Sequence, residues 1–189
     1  MEVKAYYFEK SGEVNTVKTL ETAYRRAQEL GISQIVVAST YGETARQALE
    51  VFKDSGIKIV VVTISMGFQE EGWLMEEKVR RELQEKGACI LTTLHALGDD
   101  VSSAFTTKFG GHAPNEIVAD TLRIFSQGMK VCVEIVLMAA DAGAIDVNRD
   151  VIAIAGTERG ADTAVVIKPA HPRKFLDLRV REVLAKPRV

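Results

Sequence analysis

Five short runs in this chain are apolar at nearly every position rather than at alternate ones, and this constrains the fold more than any other feature. They are Ile35–Ser39, Ile57–Ile64, Ala88–Thr92, Val151–Ala155 and Ala164–Lys168. A strand without a polar face must be covered on both sides, the condition of a largely parallel sheet layered between helices. Helical segments closed by glycine separate several of these runs. One begins at Asn15 or Thr16 and reaches Leu30, with Leu20, Tyr24, Ala27 and Leu30 on one face and Gly31 after it. Glu43–Ser55 turns Ala45, Ala48, Leu49 and Phe52 inward and stops before Gly56, and Leu74–Lys86 stops before Gly87. Pro114 suits the first turn of a helix reaching about Phe125.

Val3–Phe8 reads as a first strand, whereas Leu97–Phe109 has no clear period before the Gly110-Gly111 punctuation. Val131–Leu137 fits a strand by propensity. It also places Val131, Ile135, Met138 and Ala142 on one helical stripe, and the helix is favoured because it completes a crossover between parallel strands. The link from Gly156 to Thr163 is too short for a crossover, so the two strands around it run antiparallel. After Pro169 and Pro172, the alternation of Leu176, Leu178, Val180 and Leu184 predicts an edge strand. The fold class is therefore α/β, a three-layer α/β/α domain whose sheet is mainly parallel with an antiparallel edge.

At 189 residues and 47% hydrophobic composition the chain buries one core, so a single domain over 1–189 is expected. A net charge of -2 argues against a nucleic-acid partner, which asks for a basic face. The longest apolar run, around Val131–Ala140, is interrupted by Glu134 and too short to span a membrane. Met1-Glu2-Val3-Lys4 lacks the design of a secretory signal. Cys89 and Cys132 sit in apolar surroundings and read as buried free thiols of a reducing compartment, the cytoplasm.

Two strand ends run into loops suited to an anion. The first is Ser39-Thr40-Tyr41-Gly42-Glu43-Thr44, the second Gly156-Thr157-Glu158-Arg159-Gly160-Ala161-Asp162-Thr163. In open parallel sheets ligands bind beyond the carboxyl ends of the strands, from which the loops starting at Phe8, Ser39, Thr63, Thr92 and Gly156 emerge. The hydroxyls of Ser39, Thr40 and Thr44, the flexible Gly42 and the amides of Glu43, Thr44 and Ala45 together suit a phosphate at a helix start. Plain helix capping is the competing account of the same residues. In the second loop Arg159 offers a cation, Gly156 and Gly160 permit tight turns, and Asp162 offers an acceptor to sugar hydroxyls or ring nitrogens. An ordinary hairpin with an Arg159–Asp162 surface pair is the alternative there. Gly67 and Phe68 offer a lid or a stacking face, with Trp73 anchoring their loop. His95, His112 and His171 lack metal-ligand spacing. Catalysis by His95, His112 or Asp162 as acid or base stays open, without a convincing nucleophile–base pair.

The stretches Val37–Ala45, Cys132-Val133-Glu134, Met138-Ala139-Ala140-Asp141 and Arg159–Ala164 resemble a family of small stand-alone archaeal proteins described as pyruvate kinase alpha/beta domain-like. The loop order is similar, more loosely, to the C-terminal domain of pyruvate kinase itself. The resemblance implies a five-stranded core of order 3-2-1-4-5 counted from the Ile35–Ser39 strand, the last strand antiparallel, with the two loops side by side. It implies a phosphorylated ligand: the phosphate of a sugar bisphosphate in allosteric pyruvate kinases, flavin mononucleotide (FMN) in the small family. Ser39, Thr40, Tyr41, Gly42, Glu43 and Thr44 are then expected at the flavin phosphate. The ring is expected toward Thr63, Gly67 and Phe68, or toward Gly156, Arg159, Gly160, Asp162 and Thr163. A flavoprotein oxidoreductase or a flavin carrier or sensor follows from that ligand. The other reading is a sugar-phosphate or nucleotide-sensing regulatory module that forms homo-oligomers. These 189 residues hold no catalytic barrel, so phosphoryl transfer of the pyruvate kinase type is not expected.

Overall fold

Each of the central strands divides its side chains between two cores. In a computed structural model describing residues 2–188, β2 (Gln34–Ala38) sends Ile35 and Val37 to one face of the sheet and Val36 to the other. Its neighbour β5 (Val151–Ala155) sends Ile152 and Ile154 one way and Val151, Ala153 and Ala155 the other. The unbroken apolar runs are thus two interleaved period-2 patterns, one for each layer of helices.

On the first face lie α1 (Thr16–Leu30), α2 (Glu43–Val51) and α3 (Glu77–Glu85). Leu20, Ala23 and Ala27 of α1 and Ala45 and Ala48 of α2 are buried against it. A forked ion pair holds α1 to the far end of the sheet: Arg26 donates from Nε and Nη2 to the two oxygens of Glu182, at 2.8 and 2.7 Å. Arg46 and Glu82, 2.8 Å apart at Nη2 and Oε2, similarly clamp α2 to α3.

On the second face lies α6 (Gln127–Asp141), which settles the ambiguous 131–137 stretch as helix. It packs on β2, β5 and β6 and is roofed by α5 (Pro114–Arg123) and a 3-10 turn at Pro172–Asp177, so twelve of its fifteen residues are buried. A helix enclosed all round is apolar all round, which is why its periodicity was weak. The unassigned region before Gly110 contains a further helix, α4 (Val101–Phe109), capped by the Asp100 carboxylate accepting from the Ser103 N–H at 3.1 Å. No helix among the described residues is long and apolar enough to cross a membrane.

Among the described residues the sheet has seven strands, in the order β1-β7-β6-β5-β2-β3-β4. Here β1 is Tyr6–Phe8, β3 Lys58–Val62, β4 Cys89–Leu91, β6 Thr163–Lys168 and β7 Arg179–Pro187. The expected core order holds, with β4, β3, β2 and β5 parallel and β6 antiparallel to β5. One expectation is corrected. The tail strand β7 is not at the edge but pairs with β6 on one side and with β1, in parallel, on the other. Alternating polarity reports which face of a strand is wet and carries no information on lateral neighbours. Cys132 is buried as expected, whereas Cys89, on the uncovered edge strand β4, is exposed.

Candidate functional site

From β2 the chain continues into α2 on the first face and from β5 it turns back into β6, and a cleft of about 850 Å³ opens beyond the carboxyl ends of the two strands. That lies within the range of about 300–1,000 Å³ usual for small-molecule sites. Successive loops line it along the sheet edge: 156–160 after β5, 39–44 after β2, 63–73 after β3 and 95–99 after β4, with α6 as its floor.

The 39–44 loop is organised by Ser39. Its Oγ accepts from the backbone N–H groups of Gly42 (3.2 Å) and Ala45 (3.3 Å), so this hydroxyl shapes the turn from within. The N–H groups of Thr40, Tyr41, Glu43 and Thr44 have no acceptor among the described residues. Those of Glu43 and Thr44 open the first turn of α2, where the helix dipole is positive. Gly42 has φ 104°, and a Cβ there would lie 2.5 Å from Cγ1 of Val79. The glycine therefore serves the approach of α3 to α2 and does not line the cleft.

In the second loop the structure separates what the sequence grouped. Asp162 is fully buried. Its Oδ2 accepts from the N–H groups of Gly12 (2.9 Å) and Thr157 (3.2 Å), and its Oδ1 from the Thr163 hydroxyl (2.8 Å). Both oxygens are spent on folding the loop, which removes Asp162 as an open acceptor or a general acid or base. Thr163 is buried with it. Gly160, at φ 73°, packs against Glu13 and Thr16 of the α1 entry, where the Thr16 hydroxyl accepts from the Ala161 N–H at 2.9 Å. Gly156, Thr157, Glu158, Arg159 and Gly160 line the cleft. The Arg159 guanidinium lies over the Tyr41 ring, 5.6 Å from its centroid, instead of pairing with Asp162, and so joins the two loops.

The β3 and β4 loops supply an aromatic wall. Phe68 stacks on Trp73 with centroids 5.5 Å apart at 13°, and on His95 at 5.9 Å and 28°. Trp73 is half exposed and holds its loop by stacking on Phe68. His95 Nε2 accepts from the Ser65 N–H at 3.3 Å, which places the ring proton on Nδ1, 3.1 Å from Asp99 Oδ2. Thr63 reaches the cleft, but its hydroxyl is spoken for: Arg80 donates to Thr92, and the Thr63 hydroxyl, 2.6 Å from that of Thr92, can donate to the Ile64 carbonyl. Gly67 is exposed on the outside of the loop, and neither it nor His112 lines the cleft.

The floor was missed from sequence. Lys130 and Glu134, one turn apart on α6, form a buried ion pair at 2.5 Å, and the second Glu134 oxygen accepts from the Leu97 N–H at 3.0 Å. A Lys and a Glu four apart in an apolar helix are the signal the sequence offers for it. Among charged lining residues are five carboxylates (Glu13, Glu43, Asp99, Glu134, Glu158) and three cations (Arg123, Lys130, Arg159). Arg123 is paired with Asp120 at 2.6 Å and Lys130 with Glu134, while Arg159 lies over the Tyr41 ring with no carboxylate partner among the described residues. The cleft thus has backbone N–H groups for an anion and flat rings for a planar group, with no concentration of free cations.

The family model for the pyruvate kinase alpha/beta domain matches residues 17–167. Among solved structures, the chain is similar to a pyruvate kinase from Cryptosporidium parvum, at 14% identity and a TM-score of 0.41 over 80% of this chain. The enzyme from the same organism in complex with ADP aligns at 14% identity and a TM-score of 0.40, also over 80%. The chain spans 22% of the length of each of these enzymes.

Proposed function

The chain belongs to the pyruvate kinase alpha/beta domain family, and from that premise we propose that it binds a phosphorylated small molecule, FMN, in the cleft after β2. The supporting observation is the sequence of surfaces along the sheet edge. Unpartnered N–H groups of Thr40, Tyr41, Glu43 and Thr44 lie after β2, and the Phe68–Trp73–His95 wall lies after β3 and β4. The first suits a phosphate without a formal positive charge, and the second suits a flat ring system. Arg159 and Tyr41 close the phosphate end. A sugar bisphosphate carries two anionic groups and no plane, and it would meet five carboxylates against three cations, two of them already paired. The flavin is favoured for that reason.

Bound FMN would supply hydride or electron transfer, with this chain's residues holding the phosphate, stacking on the ring and excluding water from it. Two free thiols, one of them exposed, support a reducing compartment such as the cytoplasm. The test is a melting series of the full chain with FMN, riboflavin and a sugar bisphosphate. FMN at about 100 Kd should add about 2.7 kcal/mol of stability, riboflavin much less, and the bisphosphate nothing. The sole tryptophan, Trp73, should lose fluorescence as the flavin binds. Stabilisation by the bisphosphate alone would replace the flavin with the sugar-phosphate sensor, and no response to any phosphate would remove the anion site.

A further inference from the structure

The floor of the cleft holds a pair of residues that folding alone does not require. Lys130 is 5% exposed and Glu134 4%, yet both line the cleft beside the apolar Val131, Ile135 and Met138. Well-packed apolar side chains of similar volume stabilise a fold as well as a buried ion pair does, and often better. Nor is the pair saturated. The Lys130 ammonium has three N–H donors and spends one among the described residues, on Glu134 at 2.5 Å. The Glu134 carboxylate has about four acceptor positions and fills two, with Lys130 and with the Leu97 N–H at 3.0 Å. The Leu97 contact also fixes where the pair lies. It ties the carboxylate to the loop after β4, close in sequence to His95, and so to the end of the cleft that carries the Phe68–Trp73–His95 wall.

We infer that Lys130 and Glu134 read the edge of the flat ring that stacks on the wall, Lys130 donating to a ring carbonyl and Glu134 accepting from the ring N–H beside it. This rests on the flavin reading above, and the class of ligand is a planar ring with a carbonyl and an N–H side by side. Oxidised flavin has a single ring N–H, an imide set between two carbonyls. That edge can use both members of the pair, whereas the opposite, methylated edge can use neither. Charge decides against other occupants of the floor. A carboxylate or a second phosphate would find the Lys130 charge already offset and Glu134 repelling it. A purely apolar group would bury the spare donors and acceptors unpaired. A neutral edge that both accepts and donates satisfies the two residues and adds no charge. A few fixed polar groups in an otherwise apolar pocket are the usual means of orienting a ring. Lys130 and Glu134 are thereby specificity-determining residues, holding the ring with its imide edge to the floor.

The experiment compares FMN with its imide N-methyl derivative on the full wild-type chain, both titrated by quenching of Trp73, the sole tryptophan. The methyl group replaces the one ring N–H and leaves the phosphate and the stacking surface in place. Stranding a buried charged acceptor corresponds to a loss of about 10–100-fold, so the N-methyl ligand should bind at least tenfold more weakly. The same titrations on the double variant Lys130→Met, Glu134→Leu should bring the two ligands to nearly equal affinity, because an apolar floor has no hydrogen bond to lose. A pair that serves only to support α6 would shift both affinities together and leave their ratio as it was. Equal affinities in the wild type overturn the inference while leaving the flavin in the cleft, and a preference for FMN that survives in the double variant does the same. If FMN itself does not bind, the flavin reading falls and this one falls with it. The wild-type comparison needs no substitution, so a double variant that fails to fold leaves the outcome decided.

Discussion

Replacing Lys130 by methionine leaves the Glu134 carboxylate 4% exposed, with the Leu97 N–H as its one remaining partner. Methionine has nearly the volume of the lysine stem, so packing changes little and the effect is electrostatic. Removing one member of a buried pair costs about 3–5 kcal/mol, because the survivor keeps its desolvation penalty without its counter-charge. For a domain of this size each kcal/mol is worth about 2–4 °C, so Tm should fall by roughly 6–20 °C. The double variant Lys130→Met, Glu134→Leu removes both charges and strands only the Leu97 N–H, a penalty of about 1–3 kcal/mol. It should therefore melt above the single variant although it carries one more change. Calorimetric melts of the wild type and the three variants of the cycle measure this, with exchange of the Leu97 amide as a local readout. A single variant that loses less than about 1 kcal/mol would behave as a surface pair does. In that case, or if the two losses simply add, the pair is not the buried coupling described.

Other outcomes follow from the same physics. The Arg46 guanidinium, and secondarily Lys86, hold the Glu82 carboxyl down at about 2 from an ordinary value of 4.5. A depressed carboxyl stabilises the fold fully above that ordinary value and loses the contribution as pH falls toward about 2. Glu82→Gln should accordingly flatten stability against pH over that acid range, as read by urea melts. Gly42→Ala should destabilise by about 1–3 kcal/mol through the contact with Val79 even without ligand, and loss of ligand binding at unchanged Tm would contradict this. Burial raises the Cys132 thiol well above its usual value. A thiol reagent should label Cys89 at once and Cys132 only as the protein unfolds; two equally fast equivalents would contradict the burial.

What could be read in advance was whatever expresses itself locally. Continuous apolar runs announced the layered sheet because each residue there faces a core, and Gly31 announced a helix end because its left-handed conformation is costly for other residues. The two loops were placed together correctly, since the strands that carry them are neighbours. Roles inside the loops were less legible. Ser39, Asp162 and Thr163 have the chemistry of a ligand site, yet they spend it on Gly42, Ala45, Gly12 and Thr157. A side chain that builds a turn and one that meets a guest have the same composition, and only the partners distinguish them. The His95 wall joins segments far apart in the chain, which no local pattern can announce, whereas the Lys130–Glu134 spacing is local and its burial is not.

The first strand of the sheet in sequence order finds its neighbour in the last. Among the described residues strand β1 pairs with β7 alone, Tyr6 lying beside Ala185, so no other strand holds it before β7 is in place. The β2-to-β6 portion can close before then from contacts nearer in sequence, and the long loop joining β1 to β7 makes that closure the entropically dearest step of assembly. With three residues and one partner, β1 is also the segment a peptide from another molecule could most easily displace.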